Sequence, residues 1–391
     1  MLKKFVFRGI IYCKLDERNL AMEKKRFAGL DLVRSCAIFF VVILHSVSLN
    51  GALGEDINSV WWAVNLYVRH LAFCCVPLFI MLSGYLQKNK RVSFSYYKGI
   101  IPLGVSYVLI SLLSLVGKAV SDKSLVLTPG YIVARILDFT ANDYAWYFEM
   151  YIGLFLLIPF LNATYEAIKT KKSRLALIFT LVFLTLMPET LKSFSPAYSQ
   201  GGGIVIDIIP EFFASLYPLT YYFIGAYIAT YKPFYKVRRV IKLTSVIIAP
   251  AIPFLLCFVY SHARGAYAWY MMNGFNTLTI ALTAICVFIL LYDIDLKSRI
   301  LSVCARTVSE STFEIYLYSF IFDSFYYAYF RQHHVIMIAL VFTSSFIAAF
   351  VTRLIIIKPA SSLISVLYMR LASRIDTDNT QNIQIDAEKN D

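Results

Sequence analysis

The sequence predicts an all-α, polytopic membrane protein of about ten transmembrane helices, with both termini in the cytoplasm. Three observations predict it. Hydrophobic residues make up 59% of the chain and charged residues only 16%, far from the balance of a water-soluble domain. Apolar runs of roughly 20 residues, the length of a bilayer crossing, recur from end to end. The basic residues behind the net charge of +13 fall mostly in alternate loops. That is the pattern of positive-inside topology, and no nucleic-acid motif accompanies it.

The elements follow in order. Residues 1–21 (MLKKFVFRGIIYCKLDERNLA) form no full span and read as an upstream-start extension or a short interfacial helix. Met22 opens MEKKRFAGLD, which has the look of a natural start, and no cleavable signal peptide is evident. The membrane core is expected over residues 22–360. Its spans lie at roughly 32–50, 68–87, 99–117, 144–163, 175–191, 212–231, 240–260, 275–293, 312–330 and 335–357. Loops before the first span and after the even-numbered spans are rich in Lys and Arg, among them Lys24, Lys25, Arg26, Lys88, Lys90, Arg91 and Lys98. The alternate loops carry few, which places both termini in the cytoplasm. Tyr and Trp near span ends (Trp61, Trp62, Tyr144 to Tyr147, Trp269, Tyr270, Tyr326 to Tyr329) read mostly as an aromatic belt. Prolines such as Pro77, Pro159, Pro250 and Pro253 fall in or beside spans, where neighbouring helices can satisfy the freed backbone. The loop SQGGGIVID (199–207) reads as a plain exterior loop or a flexible cover. Residues 361–391 form a cytoplasmic tail, polar and expected to lack structure from Asp376. The seven cysteines show no CxxC and no metal-ligand spacing, so they read as buried small hydrophobes.

Candidate chemistry centres on the first span. Arg34 and His45 are eleven residues apart, which on a helix leaves a net rotation of about 20° and a rise of about 16 Å. Both therefore project from one face, and ionisable groups in a span usually face the protein interior or a water-filled cavity. His45 can accept or donate a proton or carry an acyl group; the plain alternative is a core histidine bonded to a neighbouring hydroxyl. The other histidines, His70, His262, His333 and His334, are expected at or beyond exterior span ends. Arg34 could bind an anion or simply pair with Asp31. Lys88, Lys90, Arg91 and Lys98 lie on the same side and could contact phosphate, although topology alone explains them. Glu149 shares the predicted depth of His45 and could orient it, or could be an interfacial glutamate facing water. Glu314 and Asp323, in the ninth span, could be structural carboxylates; Asp323 is costly without a partner, and Arg353 is expected too near the cytoplasm to supply it. No GxSxG elbow, Walker loop or zinc motif is present.

RFAGLDLVRSCAIFFVVILHS resembles the first-helix signature of the acyltransferase-3 family of integral-membrane O-acyltransferases, at Leu30, Asp31, Arg34 and His45. VPLFIMLSGYL (76–86) resembles the family's second-helix segment and AWYFEMYIGLFLLIPFL (145–161) its Trp-Tyr/Phe…Gly…Pro helix. YFIGAYI (222–228) and TFEIYLYS (312–319) resemble later stretches in the right order. The sequence departs in two places. Many members carry Arg-x-x-Arg before Pro102, where this chain has only Lys98, and Leu32 replaces the glycine after Leu-Asp. Lysine holds a phosphate as a point charge and lacks the bidentate fork of arginine.

The resemblance implies transfer of an acyl group, most often acetyl from acetyl-CoA acting as donor substrate, to a sugar hydroxyl of a surface polysaccharide or lipid-linked glycan. It implies a multi-pass protein of a bacterial cell membrane, in contact with lipid, acyl-CoA and the glycan acceptor, with no metal and no nucleic-acid partner. It gives His45 the catalytic position, and Glu149, by its predicted depth, would be the orienting group. Arg34, Lys88, Lys90, Arg91 and Lys98 would be the donor's contacts. A transporter or flippase for a glycan or small solute would explain the helices and the intramembrane Arg and His equally well. It would not explain the spacing from Leu-Asp to His45. A membrane glycan polymerase fits less well, because the loops are short.

Overall fold

In lipid, a backbone must satisfy its own hydrogen bonds, and apolar runs of this length do so as helices. The computed structural model describes residues 28–49, 53–54, 56–195, 209–330 and 333–388; among them there is no strand. The helices used below are α1 (Ala28–Leu49), α2 (Val60–Ala72), α3 (Cys75–Gln87), α4 (Ile101–Ser121), α5 (Pro129–Leu137), α6 (Trp146–Ala167) and α7 (Lys171–Thr185). They continue with α8 (Tyr217–Tyr231), α9 (Arg239–Arg264), α10 (Leu278–Leu291), α11 (Arg299–Glu310), α12 (Thr312–Phe330), α13 (His334–Thr352) and α14 (Lys358–Glu388). The N-terminal extension before residue 22 and the 199–207 loop lie outside the described residues.

Eight helical segments are long and apolar enough to cross a membrane: Ala28–Ser48, Val60–Gln87, Phe94–Ser121, Trp146–Ala167, Lys171–Lys192, Glu211–Tyr231, Arg239–Arg264 and His334–Ser373. The other two expected spans are helices of a different character. Helix α10 has 14 residues, short for a crossing of about 20. Helix α12 has 19 but carries Glu314, Asp323 and several tyrosines.

The second crossing begins at Val60, earlier than the expected residue 68, and breaks between α2 and α3. Pro77 has no N–H to give the carbonyl of Phe73, and its ring crowds the preceding turn, which favours a break there. Leu78 N–H bonds the Cys74 carbonyl at 2.9 Å and restarts the ladder. This earlier start changes the setting of His70. It is fully buried, with Nδ1 2.8 Å from the Leu66 carbonyl, rather than lying at an exterior helix end.

Helix α1 runs through the middle of the bundle, touching α2, α3, α10, α11, α12 and α13. Its Leu30, Val33, Ala37, Ile38 and Val41 belong to the main core. Helices α3 and α8 pack backbone to backbone. A Cβ on Gly84 would overlap the Tyr222 carbonyl, and one on Gly225 would overlap the Met81 carbonyl. Small residues allow this approach in membranes, where packing rather than the hydrophobic effect holds helices together. Gly225→Val is therefore expected to cost at least about 1–3 kcal/mol, the usual range for overpacking. A lowered unfolding midpoint in detergent, against an unchanged one for Gly117→Ala in open space, would show it.

The last segment, His334–Ser373, spans 40 residues, about 60 Å of helix against a hydrocarbon core of about 30 Å. The 19 residues of α13 are enough to cross, so α14 continues beyond. Between them the helix widens at Arg353–Ile357, where Lys358 N–H bonds the Arg353 carbonyl five residues back. The tail expected to lose structure from Asp376 is helical to Glu388; no glycine or proline interrupts it after Pro359.

Candidate active site

Helices α1, α3, α4, α6 and α12 enclose a cavity of about 320 Å³. Its walls are mostly apolar and aromatic, including Phe79, Trp146, Tyr147, Tyr151 and Phe275. A few polar groups enter it: Arg34, His45, Ser83, Glu314 and Arg353. That mixture, an apolar hollow with a few convergent polar groups, is the usual form of a small-molecule site. Arg34 and His45 line the same cavity because eleven residues bring a helix back to nearly the same face.

The His45 ring stacks on Tyr144, with centroids 3.8 Å apart and planes inclined by 20°. Tyr144 Oη donates to Asp323 Oδ2 at 2.9 Å, and Ser46 Oγ donates to Oδ1 at 3.5 Å. Asp323 is 2% exposed, and these hydroxyls supply the partners that a buried carboxylate requires. The imidazole is thus set against a ring that is itself tied to a buried acid on α12. Tyr144→Phe keeps the ring and removes its bond to Asp323. It should cost about 1–3 kcal/mol, the usual penalty for a buried group left short of a partner. The measurement is the unfolding midpoint; an unchanged midpoint would show that the hydroxyl bond contributes nothing.

Toward the N-terminal end of α1, Arg34 Nη1 donates to Ser309 Oγ at 3.4 Å, and Ser309 Oγ donates to Asp31 Oδ1 at 2.7 Å. Helix α11 brings Ser309 there, held to α1 also by the Ser35 Oγ bond to the Ala305 carbonyl at 3.0 Å. On the opposite wall Glu314, 2% exposed, accepts from Arg353 Nη1 at 2.9 Å and from Ser106 Oγ at 2.8 Å. Glu314 Oε2 and Tyr316 Oη are buried at the cavity and, among the described residues, have no hydrogen-bond partner. Buried polar atoms rarely remain so, and both are open to a bound polar ligand.

The other sequence candidates fall elsewhere. Glu149 is exposed and does not line the cavity. Tyr147 and Tyr151, four apart, present the inward face of α6, and Glu149 sits about 200° round from Tyr147. Matching depth did not mean matching face. Asp143 pairs with Lys118 at 2.6 Å near the surface. Arg91 pairs with Glu166 at 2.5 Å. Lys90 is exposed, and its carbonyl accepts from Asn162 Nδ2 at 2.8 Å. Lys98 faces α14 in an open groove with Arg370 and three serines. Lys88 lies 3.4 Å from Thr230 Oγ1. Tyr144, Trp146 and Tyr147, read from sequence as interfacial aromatics, are buried or half-buried around the cavity. Trp61, 71% exposed, keeps the character of a belt residue, while Trp62 is fully buried. Among the described residues, no three His, Cys, Asp or Glu side chains cluster as a metal site would require.

The fold and cavity define a multi-pass helical membrane protein with a mostly apolar chamber, entered by a few polar groups, beside its first helix. The chain belongs to the acyltransferase-3 family: the family model, described as an acyltransferase domain, matches residues 27–357. It is therefore a membrane acyltransferase. No curated protein and no solved structure matches the chain.

Proposed function

We propose that the protein moves an acetyl group from cytoplasmic acetyl-CoA to a sugar hydroxyl of a cell-surface polysaccharide or lipid-linked glycan. One observation carries this reading: His45 and Arg34, about 16 Å apart on one helix, line the same cavity. The cavity lies near the small end of the range for ligand sites, about 300–1,000 Å³. It has room for the thioester arm of the donor, so the nucleotide end would stay at the cytoplasmic mouth near Arg34.

In this mechanism the acceptor oxygen attacks the thioester carbonyl while His45 takes the hydroxyl proton. The C–O bond forms, the C–S bond breaks, and the proton returns from His45 to the departing thiolate. Tyr144 holds the imidazole in place, and Asp323 holds Tyr144. Arg34 offers a fixed positive charge to the donor, which suits phosphate. Glu314 Oε2 and Tyr316 Oη are available to position the sugar.

The test uses purified protein in detergent with radiolabelled acetyl-CoA and a crude cell-envelope glycan fraction. CoA release together with label on the glycan is the expected result. Movement of a solute across liposomes with no donor turnover would replace this reading with transport.

A further inference from the structure

We propose that Lys88, Arg174 and Lys232 form a phosphate-binding site at the cytoplasmic ends of α3, α7 and α8, distinct from the cavity. The proposal rests on the transfer reading for Lys88, which the resemblance makes a donor contact, and goes beyond it in adding Arg174 and Lys232. The tight α3–α8 contact at Gly84 and Gly225 sets these ends side by side, and Lys88 Nζ comes within 3.4 Å of Thr230 Oγ1. The next residue on α8, Tyr231, accepts a bond from Arg174 Nη1 at 3.2 Å. Arg174 also lies over the Tyr165 ring, its Cζ 4.2 Å from the centroid, which helps to hold the guanidinium.

The loop that carries Lys88 is held as well. Asn162, fully buried, donates to the carbonyls of Gln87 and Lys90, both at 2.8 Å, and its own oxygen accepts from Tyr222 Oη at 2.6 Å. Lys232 closes α8 in the left-handed region, φ 43°, where glycine is the usual residue.

Positive-inside topology explains why cations are on this side. It does not explain their convergence. Among the described residues no carboxylate lies within ion-pair distance of Lys88, Arg174 or Lys232, and nearby Glu166 is engaged by Arg91. Partial burial, then the charges of Arg174 and Lys232, hold the Lys88 ammonium below its ordinary lysine value. Cations that repel one another on a fixed frame are relieved by an anion. The buried Tyr165 hydroxyl, beside Thr230 and Arg174, adds a further polar group beneath the cluster. A phosphate, with its charge and several acceptor oxygens, answers both features.

Such a phosphate could belong to a soluble nucleotide or to a lipid headgroup, and the experiment separates them. Full-length protein in phosphatidylcholine nanodiscs is titrated with adenosine 3′,5′-bisphosphate. In a second arm, nanodiscs containing phosphatidylglycerol are analysed for retained lipid by native mass spectrometry. The parent should bind in at least one arm. Lys88→Gln and Lys232→Gln should each weaken that binding about tenfold, as loss of a charged hydrogen bond does. Lys172→Gln, a neighbouring exposed cation, should not. The arm that responds names the source. No binding in either arm, binding equal in parent and variants, or the same loss in Lys172→Gln overturns the site. Lys232 is exposed, so its variant keeps the fold, and a melting curve verifies this. His45→Ala should bind like the parent even where transfer is lost, so failure of the transfer reading leaves this result standing.

Discussion

His45→Ala should reduce acetyl transfer by about 10²–10⁴-fold, the usual contribution of a positioned general base. The loss should appear in transfer to the glycan and in glycan-dependent CoA release alike, because one proton transfer serves both bond changes. His45→Gln provides the companion variant: it keeps polar bulk against Tyr144 but cannot accept the proton. Both should retain the parent's elution profile and unfolding midpoint to within about 1–2 kcal/mol, since the replaced ring faces a cavity rather than a filled core. Transfer at the parent's rate by either folded variant would remove His45 from the chemistry. It would move attention to Glu314, a buried carboxylate on the cavity wall.

The second large effect is on stability. Arg353→Ala leaves Glu314 buried with Ser106 as its remaining polar partner. Removing one partner of a buried pair costs about 3–5 kcal/mol, because the other charge stays out of water uncompensated. Arg353→Met with Glu314→Gln should recover much of this, since neither charge is then stranded. Unfolding by denaturant in mild detergent gives both values. If Arg353→Ala unfolds like the parent, this ion pair does not hold α12 to the widened turn that follows α13.

The sequence carried the helical class plainly, because apolar length alone identifies a crossing. It was less able to separate crossings from helices of other kinds. Helix α10 is short, and α12 hides its membrane character behind Glu314, Asp323 and its tyrosines. The Arg34–His45 stripe was legible because both residues share one helix, where angle and rise follow from counting. The partners of His45 were not. Tyr144 precedes α6 and Asp323 lies on α12, so their meeting is a tertiary fact. Glu149 was attractive for its depth, yet depth is one coordinate and azimuth another. The period from Tyr147 to Tyr151 carried the azimuth. Arg353 and Glu314 are 39 residues apart and meet across two helices, which no local spacing records.

The glycine seam between α3 and α8 also bears on how this chamber could be retailored. Where two backbones touch, there are no side-chain atoms to trim, so α3 is pinned from behind by α8. The seam residues do not line the chamber, whereas Phe79, on the face of α3 that does, ends in a removable ring, as do Trp146, Tyr147 and Tyr151 on α6. Diversification of acyl length, by selection or by design, therefore has side chains to work on, while the backbone of α3 acts as a fixed datum from which the chamber is measured.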